Sequence, residues 1–310
     1  MSVLAERAGA ARRASHFTAV TRRRRLTGIL LTAPAIAALL ITIVFPMLWT
    51  VWLSLQSFTL GVGATVQFVG LQNYLRIVAS SGFIMALVQT LGYVAVTLTL
   101  ELVAGLAIAH FLRRATRGRK AMRLVVAIPL MIAPVVASMA FRFLFADGYG
   151  LVNGGLQLLG LPTPSWFGTP WLARTAVLIT NLWLAVPFVV LVLLAGITGI
   201  PDELEEAARV DGGSRWQIFL RITLPLLKPT ILIVLVIRLA DAFRVFDSVY
   251  VLTGGGPANS TDVMSSYLYR TMFENSDFSG GAAVTVLFVL VVGVIAGGIF
   301  LALRGRGAEA

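Results

Sequence analysis

Four charged residues, Arg238, Asp241, Arg244 and Asp247, recur every third position in a stretch that is otherwise apolar. If that stretch faced lipid, each central Arg or Asp would cost about 2.5–3.5 kcal/mol, roughly 10 kcal/mol for the four. They must therefore pair, reach an interface or face a polar cavity. On a helical wheel Arg238, Asp241, Ala242 and Val245 share a face, while Arg244 and Asp247 turn away and can pair at i, i+3. A second apolar stretch carries Asn181, whose amide at mid-depth needs a partner. A hydrogen bond between helices would satisfy it, and so would a ligand in a cavity. Glu101 sits alone in a third apolar stretch and reads as structural.

Other chemistries are missing. No Gly-x-x-x-x-Gly-Lys-Ser/Thr motif occurs, and Gly254-Gly255-Gly256 has no lysine to meet a phosphate. If ATP drives this protein, a partner must bind it; no cofactor of its own is expected. The two histidines, His16 and His110, are far apart, and there are no cysteines, so no metal site is expected. The net charge of +11 might suggest nucleic acid, but the basic residues cluster beside apolar runs, the pattern of membrane topology, so none is expected.

The elements that position these groups are membrane spans. Of 310 residues, 58% are hydrophobic and 13% charged, too apolar for a soluble domain of this size. About 20 apolar residues suffice to cross a bilayer. The sequence predicts an all-α integral membrane protein with six transmembrane helices over 27–303. They are placed at Leu26–Leu55, Phe83–Leu112, Leu124–Phe145, Trp171–Ile197, Pro229–Leu252 and Gly280–Leu303. The first run is too long for a signal peptide. Pro129 and Pro134 predict kinks in the third span. A basic tail covers 1–26 and a short tail 304–310. Of the 25 Lys and Arg residues, 19 fall in the two tails, the 113–123 loop and the 199–228 loop. That face is therefore expected to be cytoplasmic, placing the protein in the cytoplasmic membrane, in contact with its lipid, with both termini inside.

The 199–228 loop is the most polar ordered-looking segment. Pro201 suits a first helical position, with Asp202, Glu203, Glu205 and Glu206 near the positive end of the dipole. Gly212 and Gly213 end that helix, since Gly accepts positive φ. Ser214 and Gln217 form a capping-box pair that starts a second helix, which Pro225 and Pro229 are expected to close. Within it stand Glu206-Ala207-Ala208, then Asp211-Gly212, Ile222 and Leu224-Pro225. This spacing resembles the EAA loop of membrane subunits of binding-protein-dependent ABC importers. Asn181-x-Trp183-Leu184-x-x-Pro187-Phe188, Ile200-Pro201-Asp202-Glu203-Leu204 and Leu252-Thr253-Gly254-Gly255-Gly256-Pro257 resemble the carbohydrate-uptake, maltose-type branch of that family.

The resemblance implies a permease subunit that moves a sugar or oligosaccharide by alternating access. Implied partners are a second homologous permease, two ATP-binding cassette subunits and an extracytoplasmic solute-binding protein. It implies substrate contact at Asn181, Leu184, Phe188, Arg238, Asp241 and Val245, and ATPase coupling through Glu206, Ala207, Ala208, Asp211 and Gly212. Charges in the fifth span stand where neutral amides or aromatics are expected. Asp and Arg bind sugar hydroxyls, but Arg also suits a phosphate, so glycerol phosphate or a phosphodiester remains an alternative. Rivals are an ion-coupled secondary transporter, which needs no ATPase, and an intramembrane enzyme, which would act as this chain alone. Neither needs the EAA-like loop.

Overall fold

In the computed structural model, residues 31–58, 66–114 and 118–307 are described. The expected basic tail, Arg117 and the end of the C-terminal tail lie outside them. Among the described residues, five helices are long and apolar enough to cross a membrane: α1 (Leu31–Ser54), α3 (Ser81–Arg114), α7 (Pro170–Thr198), α9 (Arg215–Phe243) and α12 (Phe278–Gly307). Shorter helices join them: α2 (Gln72–Val78), α4 (Arg119–Ala127), α5 (Pro134–Leu144), α6 (Leu151–Leu158), α8 (Asp202–Val210), α10 (Asp247–Thr253) and α11 (Met264–Tyr269). A two-residue antiparallel pair, Gln56–Ser57 with Gln67–Phe68, closes the loop after α1. The architecture is an all-α membrane fold, and the last helix runs past the expected Leu303 to Gly307.

The third span is not a kinked rod. α4 and the 3₁₀ turn Ile128–Met131 meet α5 at a bend of 98°. Pro134 drives Ala133 into an extended conformation, φ −63° and ψ 136°, which ends the first piece. α5 has 11 residues, about 16 Å, too short to cross the hydrocarbon alone.

The fifth span also differs from its expected bounds. α9 begins at Arg215 and passes through Pro225 and Pro229 without stopping. A π turn at Phe219–Thr223 precedes Pro225, and Leu224 N–H bonds to Phe219 O, so the register has already shifted where the proline lacks its donor. The helix then stops at Phe243 rather than Leu252, and α10 resumes at Asp247.

The bundle is held by close contact among α3, α7 and α9. Ala109, Leu112, Val189, Val190, Leu193, Leu194, Ile197, Leu227 and Val234 form one buried cluster. Small residues allow the approach, as is usual where lipid offers no hydrophobic drive between helices. A Cβ on Gly105 would lie 2.4 Å from Val189 Cγ1, and one on Gly196 would lie 2.7 Å from Thr230 Oγ1. α1 lies outside this core, and only Ser54 of it is buried.

Candidate functional site

A cavity of about 390 Å³ opens where the two broken segments face α7. The bend after α4 contributes Pro129, Leu130, Ile132 and Pro134, and α7 contributes Asn181, Leu184 and Ala185. The end of α9 and the start of α10 bring Arg238, Asp241, Arg244, Val245, Phe246, Asp247 and Ser248. Of the residues expected to meet substrate, Asn181, Leu184, Arg238, Asp241 and Val245 therefore share one wall system. Phe188 does not; it packs against the α3–α7–α9 cluster.

All three nitrogens of Arg238 donate to carboxylates. Its Nε donates to Glu101 Oε2 at 2.8 Å and its Nη2 to Glu101 Oε1 at 3.0 Å. Its Nη1 donates to Asp241 Oδ2 at 2.9 Å. Glu101 is 0% exposed, so the structural part read for it has a named partner, the guanidinium of α9. The Asp241 side chain is 49% exposed and lines the cavity. Asn181 makes a long bond, Nδ2 to Val177 O at 3.4 Å.

Arg244 and Asp247 do not turn away as a helical pair. The helix ends between them, so both face the cavity, and no ion pair joins them among the described residues. The wheel failed because it assumed helix through residues 244–246, where no Gly or Pro warns of a break. Around the site two guanidinium groups face three carboxylates, Glu101 included, a formal charge of −1. Such a surface offers donors and acceptors in both senses and repels a dianion.

At the other end of α7, α8 and the start of α9 form the helix pair expected from the sequence. Helix α8 starts at Asp202, with Pro201 as its N-cap rather than its first residue. Gly212 has φ +82°, and Ser214 and Gln217 make the reciprocal capping box at 3.3 and 2.9 Å. Glu206, Ala207, Asp211 and Gly212 are exposed and Ala208 half-buried. Sequence reasoning missed Glu205, which is buried and accepts from Arg113 Nη1 at 2.5 Å and from Thr223 Oγ1 at 3.1 Å. Arg113 Nη2 also donates to Asp202 at 2.7 Å. One guanidinium thus ties α8 to the end of α3, and Glu205 ties it to α9. Leu204, Val210 and Trp216 remain exposed on this unit.

The chain matches the family described as binding-protein-dependent transport system inner membrane component over residues 101–306. It is 37% identical over 271 residues to the trehalose/maltose transport system permease protein MalF of Thermococcus litoralis, covering 87% of this chain and 91% of that protein. It is 36% identical to the trehalose transport system permease protein SugA of Mycobacterium tuberculosis, covering 92% and 90%. Among solved structures, a bacterial ABC transporter involved in import of the acidic polysaccharide alginate superposes with a TM-score of 0.80 at 27% identity, covering 94% of this chain and 98% of that one. A bacterial alginate ABC transporter in complex with an alginate pentasaccharide-bound periplasmic protein superposes at 0.77 and 28% identity, covering 89% and 93%.

Proposed function

Because the chain belongs to the family of binding-protein-dependent transport system inner membrane components and is a multi-pass permease subunit of a sugar ABC importer, we propose that it carries an uncharged sugar or oligosaccharide through the cavity at the α9–α10 break. The observation that carries this reading is the pairing of Arg238 with Glu101 and Asp241 through all three of its nitrogens. Glu101 takes one bidentate fork and Asp241 a third N–H, so the charge of Arg238 is spent on the scaffold before any ligand arrives. Asp241, Asn181, Arg244 and Asp247 then form a mixed donor–acceptor wall suited to hydroxyl groups. Glycerol phosphate or a phosphodiester is the second reading: Arg244 lines the cavity without an ion pair among the described residues, but the site around it carries a formal charge of −1.

In this reading α8 and the start of α9 lie on the cytoplasmic side, as do both termini, and dock into the ATPase. Glu206 offers charge pairing, Ala207 and Ala208 permit close approach, and Leu204, Val210 and Trp216 supply apolar contact. Two ATP-binding subunits, a second permease chain and a solute-binding protein complete the assembly, and alternating access moves the sugar.

The test is uptake by the assembled transporter carrying Asp241→Asn or Asn181→Ala, with trehalose, maltose and glycerol 3-phosphate as probes. Sugar uptake is expected to fall roughly tenfold in each variant, as a lost charge-assisted bond at Asp241 or lost amide bonds at Asn181 imply, with assembly intact. Normal sugar uptake in both variants, or preferential uptake of the phosphate, would overturn the assignment.

A further inference from the structure

From the cavity a chain of aromatic rings leads to the far end of the bundle. Phe246 lines the cavity and stacks on Tyr250 with ring centroids 5.1 Å apart and planes 15° from parallel. Tyr269 lies 5.2 Å from Phe246 and 5.0 Å from Tyr250. Phe273 follows at 5.2 Å, then Phe278 and Phe58, each step 6.1 Å. Phe278 opens α12 and Phe58 follows α1, at the end of the bundle opposite α8. The rings are not sealed in a core: Tyr250 is 40% and Phe273 58% exposed.

Each exposed ring offers an electron-rich face, which attracts the weakly positive C–H groups on one face of a pyranose. Tyr250 and Tyr269 add hydroxyls at its edge. Consecutive rings from Phe246 to Phe273 lie 5.0–5.2 Å apart, so a sugar can pass from one contact to the next. We propose that Phe273, Tyr269, Tyr250 and Phe246 form a stacking track that guides a released sugar ring from the mouth of the bundle into the cavity. This rests on the sugar reading above. Continuity carries it: one ring, Phe246, belongs to both the track and the cavity.

The test uses the complete transporter with its binding protein in proteoliposomes and measures sugar imported per ATP hydrolysed, with trehalose and maltose as probes. Phe273→Ala and Tyr250→Ala are expected to lower that ratio roughly three- to tenfold each, the value of an aromatic contact. ATPase stimulation by the binding protein and co-purification of the second permease should hold. Phe273→Tyr and Tyr250→Phe keep the ring and should rescue the ratio. An unchanged ratio in the alanine variants overturns the track, leaving the rings as an interfacial belt. Loss of the second permease from those variants also overturns it, making the rings a subunit contact. A wild-type transporter that moves glycerol 3-phosphate but neither sugar overturns the sugar reading, and the track with it.

Discussion

Replacing Glu101 with leucine removes both acceptors of the Arg238 fork while leaving the guanidinium in place. The two side chains are 1% and 13% exposed, and of the carboxylates on Arg238 only Asp241 would remain, so the loss of Glu101 is poorly replaced. Breaking a buried pair from one side costs about 3–5 kcal/mol. Against a total stability of about 5–15 kcal/mol, that is a large share. Removing both members together is different, because apolar residues of similar volume often replace a buried pair with little loss. Glu101→Leu alone is therefore expected to destabilise strongly, and Glu101→Leu with Arg238→Met to recover most of the loss. The coupling between the two changes should reach about 3 kcal/mol, more than a hundredfold in the folding equilibrium. Thermal unfolding of the detergent-solubilised complex, read by intrinsic fluorescence, reports both variants. A double variant no more stable than Glu101→Leu, or a Glu101→Leu variant that melts with the wild type, would refute the idea that this pair braces α3 against α9.

Three further changes probe the scaffold. A Cβ at Gly212 meets nothing within 4 Å, so Gly212→Val is strained only through its φ of +82°. A cost of about 1–2 kcal/mol confined to the α8–α9 turn should leave the bundle intact while uncoupling ATP hydrolysis from uptake, measured together with ATPase co-purification. Gly105→Ala forces a methyl into Val189 at 2.4 Å and should lower the melting temperature through α3–α7 separation, by about 1–3 kcal/mol of stability. Arg113→Met leaves Glu205 with only Thr223 and a 3.5 Å contact to Arg209, and should increase protease cutting in 199–215 without changing the yield of folded protein.

How far the sequence could be read depends on the range of the interaction involved. Local signals were reliable at the α8–α9 turn: Gly212 takes the positive φ, and Ser214 and Gln217 close the capping box. Long apolar runs found five spans to within a few residues at most of their ends. The exceptions are the non-local ones. Whether Pro134 bends a span gently or by 98° depends on what receives each half. Pro225 is tolerated because a π turn ending two residues earlier has already moved the hydrogen bonds, and Pro229 sits inside the helix that follows. The break at residues 244–246 has no local marker, and Glu205 was overshadowed by Glu206 because its partner Arg113 lies 92 residues away. The four charges in the fifth span did indicate a polar site, and Asn181 and Asp241 reach it, whereas Phe188 turns into the packing instead.

The uninterrupted course of α9 has a mechanical consequence. Trp216, on the exposed unit beside α8, and Arg238, at the cavity, belong to one helix, 22 residues or about 33 Å apart along its axis. The π turn at Phe219–Thr223 and the two prolines lie near its N-terminal end, and from Pro229 to the cavity the helix has no further irregularity, so displacement there is carried along its axis. The first joint beyond it is the non-helical step at residues 244–246, on the wall of the cavity itself. Thrust along this stretch is therefore released where the cavity-facing charges sit, changing the gap between Asp241 and Asp247.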